Sequence, residues 1–210
     1  STYNLNFSYK GNYNLNSNLK KGEISVNNQV KKVELYGSGI NNVRLNLVVE
    51  DDFRSIQNEN IEIETDIFRI SDPLEAEIKF NRVSEFVTKY FDDKDNFKLL
   101  IPKSDYESNP FYGLNQLPSF ISPFSDQFLE EIVFLKSFVK NYLNHKINLN
   151  KRDSHWLYNG LEIFLINKYV GEYYPEVKFL GRLSRFELIK NYEISKINFN
   201  DLFLNYSEYV

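Results

Sequence analysis

A change in the spacing of apolar residues at Asp72-Pro73 constrains this chain more than any other feature. Before it, apolar and polar residues alternate with a period of two. After it, apolar residues recur every three or four positions. Tyr3, Leu5, Phe7 and Tyr9 alternate with polar neighbours, as a half-buried strand does, and Lys10-Gly11-Asn12 reads as a turn. Tyr13-Asn14-Leu15 resumes the alternation, and residues 23–26, 30–35, 43–49 and 61–70 are further strand candidates. Gly37-Ser38-Gly39 and Asn58-Glu59-Asn60 punctuate them. Short strands separated by turns predict an antiparallel β region over residues 1–71.

Asp72-Pro73-Leu74-Glu75 then reads as a helix start, with Asp72 as N-cap, Pro73 in the first turn and Glu75 completing a capping box. Phe80, Val83, Val87 and Tyr90 follow at helical spacing, so this helix should run to about Phe91. Residues 97–101 read as a short buried strand closed by Pro102, and residues 106–124 as a loop rich in proline and aromatics. A second helix is expected from about Ser125, carrying Phe128, Ile132, Leu135, Val139 and Tyr142 inward. A third is expected from about Asp153, carrying Leu157, Leu161, Phe164 and Leu165 inward. Residues 72–210 are thus expected to form an α+β unit after the β region.

Composition excludes several functions. The net charge is −4, from 29 acidic and 25 basic residues, which offers no electrostatic footprint for nucleic acid. No apolar run approaches the roughly 18 residues of a membrane span. Cys is absent, which excludes disulfides and thiolate metal sites. Met is also absent and the chain opens at Ser1 inside a strand-like pattern, so it reads as a piece of a longer polypeptide.

The order of helix, short strand, aromatic loop, long helix and then Trp156-Leu157-Tyr158-Asn159-Gly160-Leu161 resembles the gluzincin metallopeptidases of the aminopeptidase N type. In that family a G-x-M-E-N strand pairs with substrate backbone, an H-E-x-x-H helix follows, and a further helix begins W-L-x-E-G. Two His and the last Glu hold zinc, and the Glu of H-E-x-x-H is the general base. The loop Asn109-Pro110-Phe111-Tyr112-Gly113-Leu114-Asn115-Gln116-Leu117-Pro118 is also similar to one in a divergent branch of bacterial envelope proteins. The resemblance implies a β region ending a saddle-like domain, then part of a thermolysin-like catalytic-type domain. It also implies a place in the bacterial cell envelope or outside the cell.

This sequence departs from the family at the residues that do the chemistry. It has two histidines, His145 and His155, and no H-E-x-x-H. Counting back from Asn159 by the family spacing puts Lys136 and Lys140 at the histidine positions. A longer connection puts Glu130 and Phe134 there, with Glu131 at the general-base position. Asn159 stands at the third ligand and Gln116 at the Glu that would hold an amino terminus. No catalytic residue, metal or cofactor is expected, and the enzyme reading survives only if other parts of a longer polypeptide supply the chemistry.

What remains is a vestigial cleft of Tyr112, Gly113, Asn115, Gln116, Glu131, Trp156 and Asn159, with a peptide or protein segment as the expected partner. Each residue also has a plainer reading. Glu130-Glu131 suits a solvated helix face, because neighbouring helical residues point apart. Trp156 suits a core, the loop amides suit the loop's own hydrogen bonds, and His145 suits a charge at a helix C-terminus. Lys20-Lys21 and Lys31-Lys32 suit solvated strand ends, and Tyr173-Tyr174 suit packing at the end of the third helix.

Overall fold

The computed structural model describes residues 2–50, 52–58, 60–68, 72–108, 125–147 and 154–175, the side chain of His155 excepted. The fold is α+β. β1 (Thr2–Lys10), β4 (Val30–Ser38) and β3 (Lys20–Asn27) form an antiparallel sheet in the order β1-β4-β3. β3 and β4 make a two-residue hairpin at Asn28-Gln29, whose φ values of 48° and 62° suit the primed turns that match strand twist. β2 (Asn14–Ser17) pairs with β5 (Leu45–Val48) in a separate antiparallel ribbon. The expected strand at 43–49 is therefore shorter than its sequence pattern.

The third sheet crosses the change of period. β6 (Arg54–Gln57) pairs antiparallel with β7 (Ile61–Thr65), and β7 pairs in parallel with β8 (Phe97–Ile101). The helix α1 (Pro73–Phe91) makes the connection that a parallel pair requires. The β region is thus not wholly antiparallel, and β6 has no counterpart in the sequence reading. Its four residues carry one apolar side chain inward, too little alternation to register.

The helices start where the caps predict. The Asp72 carboxylate accepts from Glu75 N at 3.0 Å, and the Ser125 hydroxyl accepts from Phe128 N at 3.2 Å to open α3 (Asp126–Lys146). The Glu75 side chain pairs with Lys79 at 2.8 Å. The start of the expected aromatic loop is a short helix, α2 (Lys103–Glu107). The last described helix is α4 (His155–Tyr173).

Two apolar clusters form. The larger joins β7, β8, α1, α3 and α4, with Phe80, Phe134, Phe138, Tyr142 and Tyr169 among its fully buried side chains. Phe128, Ile132, Leu135, Val139 and Tyr142 all point into it, as their spacing predicts. The smaller comprises Leu15, Leu19, Val33, Leu35 and Ile40 under the first sheet. Polar contacts join the two. Ser17 N donates to Glu64 at 2.9 Å, Lys21 pairs with Glu64 at 3.3 Å, and Arg44 reaches Asp105 with two bonds of 2.6 and 2.7 Å. The larger core therefore takes in strands from both sides of the Asp72-Pro73 change.

Candidate functional site

The helices α3 and α4 pack antiparallel, and three contacts fix their register. Tyr169 donates to Glu131, Lys136 pairs with Glu162 at 3.7 Å, and the Tyr158 hydroxyl donates to Ile147 O at 2.9 Å. Asn159 lies three residues before Glu162, roughly one turn along the axis, and so stands level with Lys140. Glu131 stands level with Tyr169, ten residues from Asn159, or roughly 15 Å along the helix. Glu131 and Asn159 are therefore not brought together. Tyr112, Gly113, Asn115 and Gln116 lie outside the described residues.

Lys136 is the unexpected member of this pair of helices. It is 6% exposed, beside Glu162 and with its ammonium 6.0 Å from the centre of the Tyr106 ring. A buried ammonium needs such company, because taking it from water unpaired costs several kcal/mol. One turn on, Lys140 shares a small polar pocket with Arg44, Asp105 and Asn141. Arg44 holds Asp105 with both guanidinium arms and also donates to Asn141, while Asn141 donates to Asp105 at 3.1 Å. Burial pushes the Asp105 carboxyl up, but the bonds from Arg44 and Asn141 outweigh it and hold the group below the usual carboxylate range. Ser137, also buried, has an Oγ without a hydrogen-bond partner among the described residues.

Glu131 overturns the expectation of a solvated face. It is 2% exposed and accepts from Tyr169, from Tyr174 at 2.6 Å and from Arg82 at 3.1 and 3.3 Å. Burial and the adjoining Glu131 carboxylate both raise the two tyrosine hydroxyls above their ordinary range, so they serve as donors. Glu130, its neighbour, faces α1 and pairs with Lys79 at 2.5 Å. The partners of Glu131 lie 49, 38 and 43 residues away in the chain, beyond the reach of any local pattern.

Trp156 likewise departs from expectation. It is 73% exposed rather than in the core. The buried face of α4 is Leu165, Ile166, Tyr169 and Val170. Trp156 lies nine residues before Leu165, roughly half a turn round the helix axis. Of the expected inward stripe, Leu165 is buried and Leu161 packs against the core, whereas Phe164 is 47% exposed.

His145 is half-buried against Phe97, with ring centres 5.1 Å apart, and burial holds it below its ordinary pKa. It does not act as the helix-end charge. That place belongs to Lys146, which pairs with Asp93 and Asp95. Lys21 is not simply solvated either, since it reaches Glu64. Tyr174 packs on Phe128 at the end of α4, as expected.

No protein-family model matches this chain, and no curated protein matches it. Among solved structures the fold is similar to that of an M1 zinc metallopeptidase from Deinococcus radiodurans and to that of a mutant of the same enzyme. Each comparison has a TM-score of 0.50 and 9% sequence identity, and covers 81% of this chain. At that identity the likeness is one of fold, and distant. The chain spans 41% of the length of those solved chains.

A zinc ion does not fit the residues at this helix pair. Zinc takes neutral imidazole, thiolate or carboxylate ligands, about three from the protein. Here the Lys136 ammonium of α3 pairs with Glu162 of α4 at 3.7 Å, and a second lysine, Lys140, stands one turn away. Two positive charges at that spacing repel a dication. Among the described residues no group of three or more His, Asp or Glu is arranged to hold a metal.

Proposed function

We propose that this chain is a peptidase-like module without its own hydrolytic centre, and that it works by holding an extended peptide or protein segment. The observation that carries the first half is the buried Lys136–Glu162 pair. The antiparallel register supports the family count that sets Lys136 and Lys140 at the histidine positions, because Asn159 stands level with Lys140. It disfavours Glu130 and Phe134, since Phe134 is fully buried against Phe68 and Glu130 pairs with α1. Ser137 then falls at the general-base position, where a hydroxyl cannot take up a proton as a carboxylate does. The Lys136 ammonium occupies the cationic place and makes it permanent.

The binding half rests on the sequence expectation of an edge strand at 113–117, which lies outside the described residues. Gln116 accepts a hydrogen bond but lacks the charge that doubles the strength of a contact to an ammonium group. An internal extended segment, paired through backbone N–H and C=O groups, is the partner this chemistry suits. A purely architectural role is the second reading, and Glu131 favours it, because its carboxylate is fully engaged by Arg82, Tyr169 and Tyr174. The division at residues 71/72 and a place in the bacterial envelope or outside the cell remain part of the proposal. No described helix is long and apolar enough to cross a membrane.

Zinc retention tests the reading. The purified chain is dialysed after incubation with equimolar zinc, beside a variant carrying Lys136→His, Lys140→His and Asn159→Glu. The native chain should retain none. The variant should gain an ion, because two imidazoles one turn apart and a facing carboxylate recreate a ligand set. Stoichiometric zinc on the native chain refutes the reading, and failure of the variant refutes the assigned register. Titration with a peptide and its N-acetylated form then tests the binding half. Equal weak affinities are expected, and a strong preference for the free amine defeats it.

A further inference from the structure

A cleft of about 1000 Å³ opens between the two cores, and of the helix pair only the end of α3 reaches it. The ends of β1 and β4 and the turn at Gly37-Ser38-Gly39 form one wall. The β6–β7 turn, the start of β8 and the end of α3 form the other. A Cβ at Gly37 would meet Ile40 Cδ1 at 2.5 Å and Leu19 Cδ2 at 2.8 Å, so those side-chain ends would have to shift to admit one. Gly39 has a φ of 71°, which only glycine adopts freely. The volume is at the top of the roughly 300–1,000 Å³ range of small-molecule sites, and junctions between packed units commonly hold such sites.

The charges in these walls satisfy one another. Lys98 lies between Glu62 at 2.7 Å and Glu64 at 2.8 Å, and Lys146 between Asp93 at 2.8 Å and Asp95 at 2.9 Å. Burial and Lys146 both lower the pKa of His145, which favours its neutral form. Lys20, which also lines the cleft, is exposed and has no ion pair among the described residues. Apart from Lys20, the charges of the cleft are engaged within the protein, and a neutral ligand suits most of its lining.

Side-chain amides are what it offers. The fold uses some of them. Asn18 bonds Asn42 O and Arg44 N, Asn41 donates to His145 O, and Asn58 accepts from Asn60 N and Ile61 N. Asn4, Gln57, Asn60 and Asn96 also line the cleft. They are exposed, and their side chains make no hydrogen bond among the described residues. Each presents two donors and a carbonyl acceptor. Adjacent hydroxyls on a sugar ring need both at once, since each hydroxyl donates and accepts. Tyr36, 47% exposed on the β4 wall, supplies an aromatic surface with a polar tip. Strand ends and turns line the cleft rather than the open length of an edge strand, so it does not suit strand addition by a peptide.

We propose that this cleft binds a neutral oligosaccharide, with Asn4, Gln57, Asn60 and Asn96 bonding hydroxyls and Tyr36 stacking on a ring face. The test is titration of the full chain with chitohexaose, maltohexaose and xylohexaose, following the side-chain NH₂ signals by magnetic resonance. At least one sugar should move the signals of the four amides and leave those of Asn6 and Asn27 unmoved. Tyr36→Ala, and Asn60→Ala with Asn96→Ala, should each weaken binding by roughly fivefold or more, while Asn27→Ala leaves it unchanged. Three results overturn the proposal: no response to any of the sugars at about 10 mM, unchanged binding in both cleft variants, or a stronger response of the same signals to hexaalanine.

Discussion

Among the described residues, the larger core gathers 24 buried residues from two strands, three helices and Ile67-Phe68 after β7, whereas the smaller has five under one sheet. The smaller leaves Ile24 and Val26 of β3 at 54% and 67% exposed, although their register puts them on the same face as the buried Val33. The strands of the first sheet and of the β2–β5 ribbon therefore depend more on their ladders, and on the polar ties through Glu64, Arg44 and Asp105, than on burial. Stability in this molecule should be uneven, and the polar ties should decide whether the two parts unfold together.

Substitutions can break that comparison. The largest expected effect is Phe80→Ala, costing about 4 kcal/mol in urea unfolding, because the surrounding core cannot collapse onto the space. Leu35→Ala should cost less, about 2 kcal/mol, since the smaller core can relax towards solvent. Equal losses would erase the distinction.

Glu131→Ala comes next, at about 2–3 kcal/mol, because it strands Arg82 and two tyrosine hydroxyls. Glu131→Gln should cost less, as the amide carbonyl still accepts. If Glu131→Ala is neutral, the carboxylate is not the keystone of that cluster.

Arg44→Leu should cost about 1–2 kcal/mol overall, but its signature is local. Amide exchange in β2 and β5 should quicken while that of α3 stays unchanged. Uniform quickening would mean that the two cores do not unfold separately.

The smallest effect concerns pH. The bonds from Arg44 and Asn141 hold the Asp105 carboxyl below its usual range despite burial. The stability this contributes is fully present above the unfolded value of about 3.9. It is lost as pH falls through the lower folded value. The native chain should therefore weaken below about pH 4 by an amount that Asp105→Asn does not show. Identical acid profiles would remove Asp105 from the tie.

The parts of the fold that follow local rules were legible in the sequence. Asp72 and Ser125 announce helices because an N-cap needs only its own first turn. The α3 stripe was legible because five large apolar residues keep one phase. The primed turn at Asn28-Gln29 left no Gly to announce it. β6 was too short to register, and the parallel β7–β8 pairing is a matter of tertiary arrangement. At the helix pair, the loss of the family's histidines could be read directly. The burial of Lys136 and Glu131 could not, because both depend on partners from distant elements. Trp156 was misjudged because the start of a helix does not reveal which way its apolar stripe will turn.

The strand pairings of the β region carry a consequence for the order in which it can form. β1 pairs with β4 and β2 with β5, so the two pairings interlock: the β2–β5 pairing begins inside the span that β1–β4 closes and ends beyond it. Neither pairing is a local hairpin, since each encloses a strand that belongs to the other. The β3–β4 hairpin, closed by two residues, is the local step and is expected first. β1 must then wait for β4, and β2 must wait until residues 45–48 have emerged. A break in the chain between β2 and β4 would therefore disturb both ribbons, where a pair of independent hairpins would lose only one. Pulse-labelled amide exchange during refolding should show protection of β3 and β4 before β2 and β5.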